Sequence, residues 1–242
     1  MPKKTVSGSS SASQHDIPKD LSGHIFYGIK LTDEQTEFRD AIWDPKYDAV
    51  FCNARAGSGK TLIAVATAML MREYGLVDEV HYMNAAGTFE RSQGLLPGTL
   101  EEKSAVYQIP LRQALIRIGY DPQSVVASDT NMMAQKTGTA CIFASTDSFI
   151  RGINIGDSDN RALLIVEEAQ NYTIPALRTV LSRLGANGKA IVIGHDKQCD
   201  LKYPQDSGFV RAISLFSKED WCKVCNLTKN FRSRVSALAD EL

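Results

Sequence analysis

Short apolar runs alternate along this chain with longer stretches of helical periodicity. DAVFCN leads into TLIAVATAMLMREYG, EVHYMNA follows, and the alternation continues to KAIVIGH. Runs rich in Val, Ile, Leu and Phe read as strands covered on both faces, and helical stretches between them read as crossovers of a parallel sheet. The predicted strands are Ala49 to Asn53, Glu79 to Met83, Ala140 to Ala144, Ala162 to Val166 and Ala190 to Gly194, with WCKVCNL at 221–227 as a further strand. Met69, Leu70 and Met71 read as core packing on the helix after the first strand. No internal repeat or linker divides the pattern, so the prediction is one α/β domain, a mostly parallel sheet with helices on both faces.

Composition narrows this picture. With 242 residues and 43% hydrophobic content the chain can bury a sizeable core. Residues 1–23 carry little to bury and are expected to form a disordered tail, leaving 24–242 as the domain. No run approaches the ~18 apolar residues of a membrane span, and the first residues lack the apolar segment of a secretory signal. A cytoplasmic protein without a membrane partner is expected. Five cysteines without regular spacing fit reduced thiols. Cys222 and Cys225 have the spacing of a metal pair, but residues three apart on a strand face opposite sides. His15, His24 and His81 show no metal-ligand spacing. A net charge of -1 gives no global basic footprint, so any nucleic-acid contact must rest on a local patch.

The candidate chemistry begins where the first strand meets its helix. Ala54-Arg-Ala-Gly-Ser-Gly-Lys-Thr61 follows the pattern G-x-x-x-x-G-K-[ST], with Ala54 in place of the first glycine. Glycines let backbone N–H groups turn inward around phosphates, and the helix adds its positive end. The nucleotide-binding stretch is read as Ala54, Arg55, Ala56, Gly57, Ser58, Gly59, Lys60, Thr61 and Leu62. Lys60 supplies the cation for the β- and γ-phosphates of ATP, and Thr61 a hydroxyl for Mg²⁺.

Further along, ALLIVEEAQN ends a predicted strand in Glu167 and Glu168. Alternation points the two in different directions, which predicts separate roles: Glu167 in the metal shell and Glu168 orienting or deprotonating the attacking water. Alone, V-E-E-A-Q is an ordinary charged strand end; after a phosphate loop it is a candidate catalytic edge. Gln198, beyond the strand AIVIG, is the candidate γ-phosphate sensor, although by itself it would read as a polar loop.

With these segments in place the sequence resembles the PhoH family of phosphate-loop ATPases, whose fold is similar to the first motor domain of superfamily-one helicases. ARAGSGKT resembles the family's G-P-A-G-T-G-K-T, Glu167 to Asn171 its D-E-A-Q-N, and Gly194 to Leu201 its G-D-x-x-Q-x-D-L. QGLLPGTLEEK, residues 93–103, and Ile150 to Ile155 are similar to two further family segments. The resemblance spans about Leu31 to about Asp240 and implies a RecA-like domain; the short form resembles versions carried by bacteriophages. Leu31 to Gln35 looks like the adenine-reading glutamine motif of the helicase relatives, with Gln35 as reader, and is also a good helix cap. Asn230-Phe-Arg-Ser233 resembles a stretch carrying a γ-phosphate arginine, which makes Arg232 a catalytic candidate.

Departures from the family qualify the reading. Glu167 and His195 stand where the family has aspartates, and Asn84 where it has an arginine. On these grounds Glu167→Asp is expected to preserve or raise turnover. The resemblance implies ATP hydrolysis coupled to single-stranded RNA or DNA, with Arg91, Lys103 and Arg151 as phosphate contacts; the alternative is a regulatory ATPase switch acting on a protein. It also implies a homo-oligomer, a hexameric ring, in which Arg232, with Arg234 and Arg183 as fallbacks, reaches a neighbour's phosphate.

Overall fold

The computed structural model describes residues 17–85, 108–128, 131–146, 150 and 153–239. Six strands form one sheet in the order β3-β2-β4-β5-β1-β6, with every pairing parallel. They are β1 (Ala49–Ala54), β2 (Glu79–Asn84), β3 (Ile142–Thr146), β4 (Ala162–Glu167), β5 (Gly188–Gly194) and β6 (Cys222–Leu227). β3 starts two residues later than the sequence predicts. Ala140 N–H is bonded to Ala134 O and Cys141 N–H to Val125 O, so this stretch still closes the preceding turn.

Alternation along the strands divides the core in two. Val50, Cys52, Leu163, Ile165, Ile191 and Ile193 face α1 (Asp33–Trp43), α2 (Lys60–Glu73) and α3 (Ile109–Arg117). Phe51, Leu164, Val166, Ala190 and Val192 face the opposite layer, which presents Leu177, Val180 and Phe209. Two short helices, α4 (Pro122–Val125) and α5 (Met132–Lys136), precede β3; α6 (Ile174–Leu181) and α7 (Phe209–Phe216) build the second layer, and α8 (Arg234–Ala239) follows β6. α2 is buried without interruption from Ile63 to Met71, as a helix enclosed by sheet, α1 and α3 must be. Cys222 and Cys225 fall in opposite cores, as strand alternation requires. The α/β architecture expected from the sequence, a parallel sheet with helices on both faces, is the one observed.

At the N-terminal side packing extends past the expected boundary at residue 24. Leu21 is 1% exposed in the α1–α2 core, and Trp43 Nε1 donates to Pro18 O at 3.1 Å. Residues 1–16 of the expected tail lie outside the described residues, as do Arg91, residues 93–103 and Arg151. Among the described residues no helix is long and apolar enough to cross a membrane.

Candidate nucleotide site

β1 delivers the chain to the carboxyl edge of the sheet, where α/β folds place their ligands. Ala54 is its last residue, extended and buried, so no left-handed backbone is needed there and the missing glycine costs nothing. The turn itself needs glycine: Gly57 and Gly59 have φ of 70° and 84°. Gly59 then caps α2, whose first residue is Lys60. The hydroxyl of Ser58, inside this turn, is buried without a partner among the described residues. A buried donor left over where N–H groups converge fits an acceptor-rich phosphate.

Two neighbouring elements hold the loop. Gln35 closes a capping box with Thr32, and its Nε2 donates to Ser58 O at 2.8 Å. One donor and one acceptor of this amide are thereby committed within the protein. On the other side Phe231 N–H donates to Gly57 O at 3.0 Å, and Arg55 N–H to Leu227 O at 3.0 Å. Glu34 joins the two braces by accepting from Thr228 N–H at 2.8 Å and Thr228 Oγ1 at 2.6 Å. These contacts hold the Glu34 carboxyl below its usual range.

The carboxylates arrive from β4, beyond the intervening strand β5. Glu167 is 2% exposed; its Oε1 accepts from Thr61 Oγ1 at 3.0 Å and its Oε2 from Tyr82 OH at 3.2 Å. Burial pushes its carboxyl up to about 7, against the nearby Lys60 and with help from Glu168. Glu168 leaves the strand with φ 50°, and its Oε1 meets Lys60 Nζ at 3.1 Å. Strand alternation would have sent Glu168 to the far face; the left-handed backbone turns it back, so both carboxylates converge on the loop through different partners. Burial pulls Lys60 down, but Glu168 and Glu167 outweigh it and its pKa lies above the usual lysine value.

The PhoH-like protein family model matches residues 29–240, which includes the loop, both carboxylates and the 230–232 turn. The chain belongs to the PhoH-like family. A PhoH-like protein of Mycobacterium tuberculosis (strain ATCC 25618 / H37Rv) is 30% identical over 179 residues, 74% of this chain and 47% of the relative. A PhoH-like protein of Bacillus subtilis is 31% identical over 180 residues, covering 74% and 52%. Protein PhoH of Escherichia coli K12 is 27% identical over 180 residues, covering 74% and 48%. The chain thus spans about half the length of these relatives. The Pif1 helicase of Candida albicans superposes over 86% of this chain and 42% of its own, with a TM-score of 0.41 and 14% identity.

In this PhoH-like domain the carboxylate edge is stapled to β5 by residues to which sequence reading gave no role. Gln170 donates through Nε2 to Glu168 Oε2 and accepts from His195 N–H through Oε1 at 2.9 Å. Its approach requires Gly194, where a Cβ would lie 2.8 Å from Gln170 Oε1. Asn171 Oδ1 accepts from Asp200 N–H at 2.8 Å, and Asn53 Oδ1 from Asp196 N–H at 3.1 Å. Gln198 stands exposed in the turn after β5, its N–H bonded to His195 O at 3.3 Å. The amide buried against the catalytic candidate Glu168 belongs to Gln170. The signal was present in A-Q-N, but it takes the β5 register to give it meaning.

Arg232 lies against its own phosphate loop. A Cβ at Gly57 would come within 2.7 Å of Arg232 Cγ and 2.6 Å of Asn230 Oδ1. The stem of Arg232 therefore packs on its own loop. Arg183 precedes β5 at the opposite edge of the sheet, and Arg234 is exposed at the start of α8. Phe231, half exposed beside the loop, adds an aromatic surface that sequence reading passed over.

For a divalent ion, Thr61 Oγ1 and Glu167 Oε1 are the fitting oxygens. Adjacent ligands at about 2.1 Å in an octahedral shell lie about 3 Å apart, and these two are separated by 3.0 Å. Among the described residues no cluster of three or more His, Cys, Asp or Glu could hold an ion. The remaining ligands would come from nucleotide and water.

Proposed function

We propose that this domain binds ATP with Mg²⁺ and hydrolyses it, and that turnover is coupled to single-stranded nucleic acid in the cytoplasm. The observation that carries the reading is the convergence of two pairs on one phosphate loop: Thr61 with Glu167 at 3.0 Å and Lys60 with Glu168 at 3.1 Å. Thr61 and Glu167 would hold Mg²⁺, which would supply positive charge to the phosphates. Lys60 exchanges the Glu168 carboxylate for the phosphates as nucleotide enters. Glu168, released but still held by Gln170, accepts the proton of the attacking water. Arg232 supplies charge to the transferring phosphoryl group from within the same subunit, and Gln35 fixes the loop in place beside the base. Gln198 reports the loss of γ-phosphate from the turn after β5.

Nucleic-acid coupling rests on the family resemblance and assigns phosphate contacts to Arg91, Lys103 and Arg151. A net charge of -1 favours the second reading, a switch acting on a protein. ATP hydrolysis measured with and without single-stranded RNA and DNA, at rising salt, separates the two. Stimulation that fades steeply with salt supports the first; no stimulation by any polynucleotide supports the second. Lys60→Ala without loss of hydrolysis would end the ATPase reading altogether. Self-association into a ring of identical subunits, six by resemblance, belongs to the same proposal. Mixing Arg232→Ala with excess Lys60→Ala subunits is expected to give no rescue, because Arg232 serves its own loop; rescue would return it to a role between subunits.

A further inference from the structure

The turn that carries Arg232 leaves β6 with little burial to fix its course: Thr228, Lys229, Phe231 and Arg232 are all exposed. Hydrogen bonds hold it instead. Within the turn Asn230 Oδ1 accepts from Arg232 N–H at 2.7 Å, and at its far end Phe231 N–H reaches Gly57 O at 3.0 Å. At its near end both oxygens of one carboxylate are spent on one residue, Glu34 Oε2 taking Thr228 N–H at 2.8 Å and Oε1 taking Thr228 Oγ1 at 2.6 Å. Bonds to an ionised acceptor are the stronger kind, and two of them fix direction as well as distance.

Glu34 stands on a rigid base. α1 is anchored by buried Phe38, Ile42 and Trp43, and the next residue, Gln35, grips Ser58 O of the phosphate loop. One helix thus holds the loop through Gln35 and the turn through Glu34, while Phe231 ties turn to loop and closes the triangle. A second link from the same helix gives a contrast. Glu37, three residues on and on the same helix face, meets Lys223 Nζ at 2.7 Å and so docks α1 on the body of β6 rather than on the turn.

We propose that Glu34 is a positioning residue for ATP hydrolysis: its carboxylate sets the 228–232 turn so that Arg232 stands over the phosphate loop. The proposal rests on the ATPase reading and on the role given to Arg232 above. Glu34 acts through Thr228 and not on the phosphates, so its loss falls on the rate of the chemical step more than on nucleotide affinity, which Lys60 and the glycine turn retain. Displacing a catalytic group by about 1 Å can cost about 10²-fold in rate.

Two readouts test it. Without nucleotide, hydrogen exchange of the Phe231 amide should rise at least roughly tenfold in Glu34→Ala, while amides of α2 and β4 keep wild-type protection. With ATP and Mg²⁺, the same variant should lose roughly 10- to 100-fold in kcat with KM changed by less than about threefold. Glu34→Gln should recover most of both, because its amide oxygen can accept from Thr228 N–H and its NH₂ can donate to Thr228 Oγ1. Glu34→Asp, one methylene shorter, should not. Glu37→Ala should match wild type in both readouts; an equal loss there would trace the effect to the docking of α1 and overturn the proposal. Wild-type protection of Phe231 in Glu34→Ala would overturn it whether or not the protein hydrolyses ATP, and a loosened turn with wild-type kcat would overturn the catalytic role alone. A wild type without hydrolysis would overturn the ATPase reading and this role together.

Discussion

The two edges of the sheet are built from different materials. At the carboxyl edge the connections are held by buried polar side chains: Glu167, Gln170 and Asn171 are at most 6% exposed. At the amino edge they are held by backbone. Asp78 and Glu79 N–H share Arg161 O, Asp48 and Ala49 N–H share Trp221 O, and Ile155 N–H bonds Arg183 O. There Gly156, with φ 76°, packs so closely on Gly188 that a Cβ would lie 2.4 Å from its nitrogen. Buried polar groups are costly unless paired, and replacing a buried ion pair by apolar residues is often neutral or stabilising. An edge that concentrates them is therefore shaped for chemistry, and the edge with few of them is shaped for folding.

That contrast makes damage at the two edges separable. Glu168→Gln should show the largest effect, a loss of about 10³ in turnover with ATP still bound, because an amide cannot accept the proton of water. Its melting temperature should change little, since Glu168 is 42% exposed and the amide oxygen can still accept from Lys60 or Gln170. A large drop in melting temperature would mean that the carboxyl edge also carries the fold. Gly156→Ala should do the reverse. Left-handed backbone and backbone contact together should cost about 3 kcal/mol, or roughly 6–12 °C for a domain of this size, with normal hydrolysis by the folded fraction. Lost turnover in protein that melts normally would erase the contrast.

Glu167→Asp tests the carboxyl edge more finely. Sequence resemblance favours restored or faster turnover, but here both oxygens are engaged, one by Thr61 and one by Tyr82. A shorter side chain withdraws from both, so a loss of about tenfold is expected, comparable to one neglected hydrogen bond to a charged group; equal or faster turnover would show that the family ligand length governs the site. The smallest effect belongs to the amino edge. Lys189 donates to Asp44 O at 2.7 Å, and burial pulls its pKa down to about 8, against Asp44 and Asp48. Its pKa in the unfolded chain lies near 10.4. Between these values the unfolded state holds more protons, so wild-type stability relative to Lys189→Met should rise with pH across that window. Parallel stability curves for the two proteins would remove this contribution.

What the sequence made legible was local. The strand runs, the glycine turn before Lys60 and the paired glutamates are each written within a few consecutive residues, and periodicity or spacing suffices to read them. The direction of Glu168 was not legible, because alternation ends where its φ becomes positive. Neither were the partners across the chain: Tyr82 with Glu167, Gln170 with His195, Glu34 with Thr228 and Phe231 with Gly57. These pairs are set by strand order and register, and no short stretch of sequence contains them. The packing of the Arg232 stem on its own loop was out of reach for the same reason. Only the position of β6 beside β1 brings the 230–232 turn back onto its own loop.

That position of β6 also sets a schedule for synthesis. β1 lies between β5 and β6, so the strand bearing the phosphate loop acquires both neighbours only after residues 188–194 and 222–227 have been made. The bond from Phe231 to Gly57 comes later still. At about 5–20 residues per second, the 177 residues from Ala54 to Phe231 occupy a ribosome for roughly 9–35 s. β1 has neither flanking strand until β5 is made and only one until β6 follows, a length of apolar chain in need of shelter. A nascent chain arrested before Leu227 should be held by chaperones and fail to retain nucleotide, and the domain should gain protease resistance in a late step rather than strand by strand.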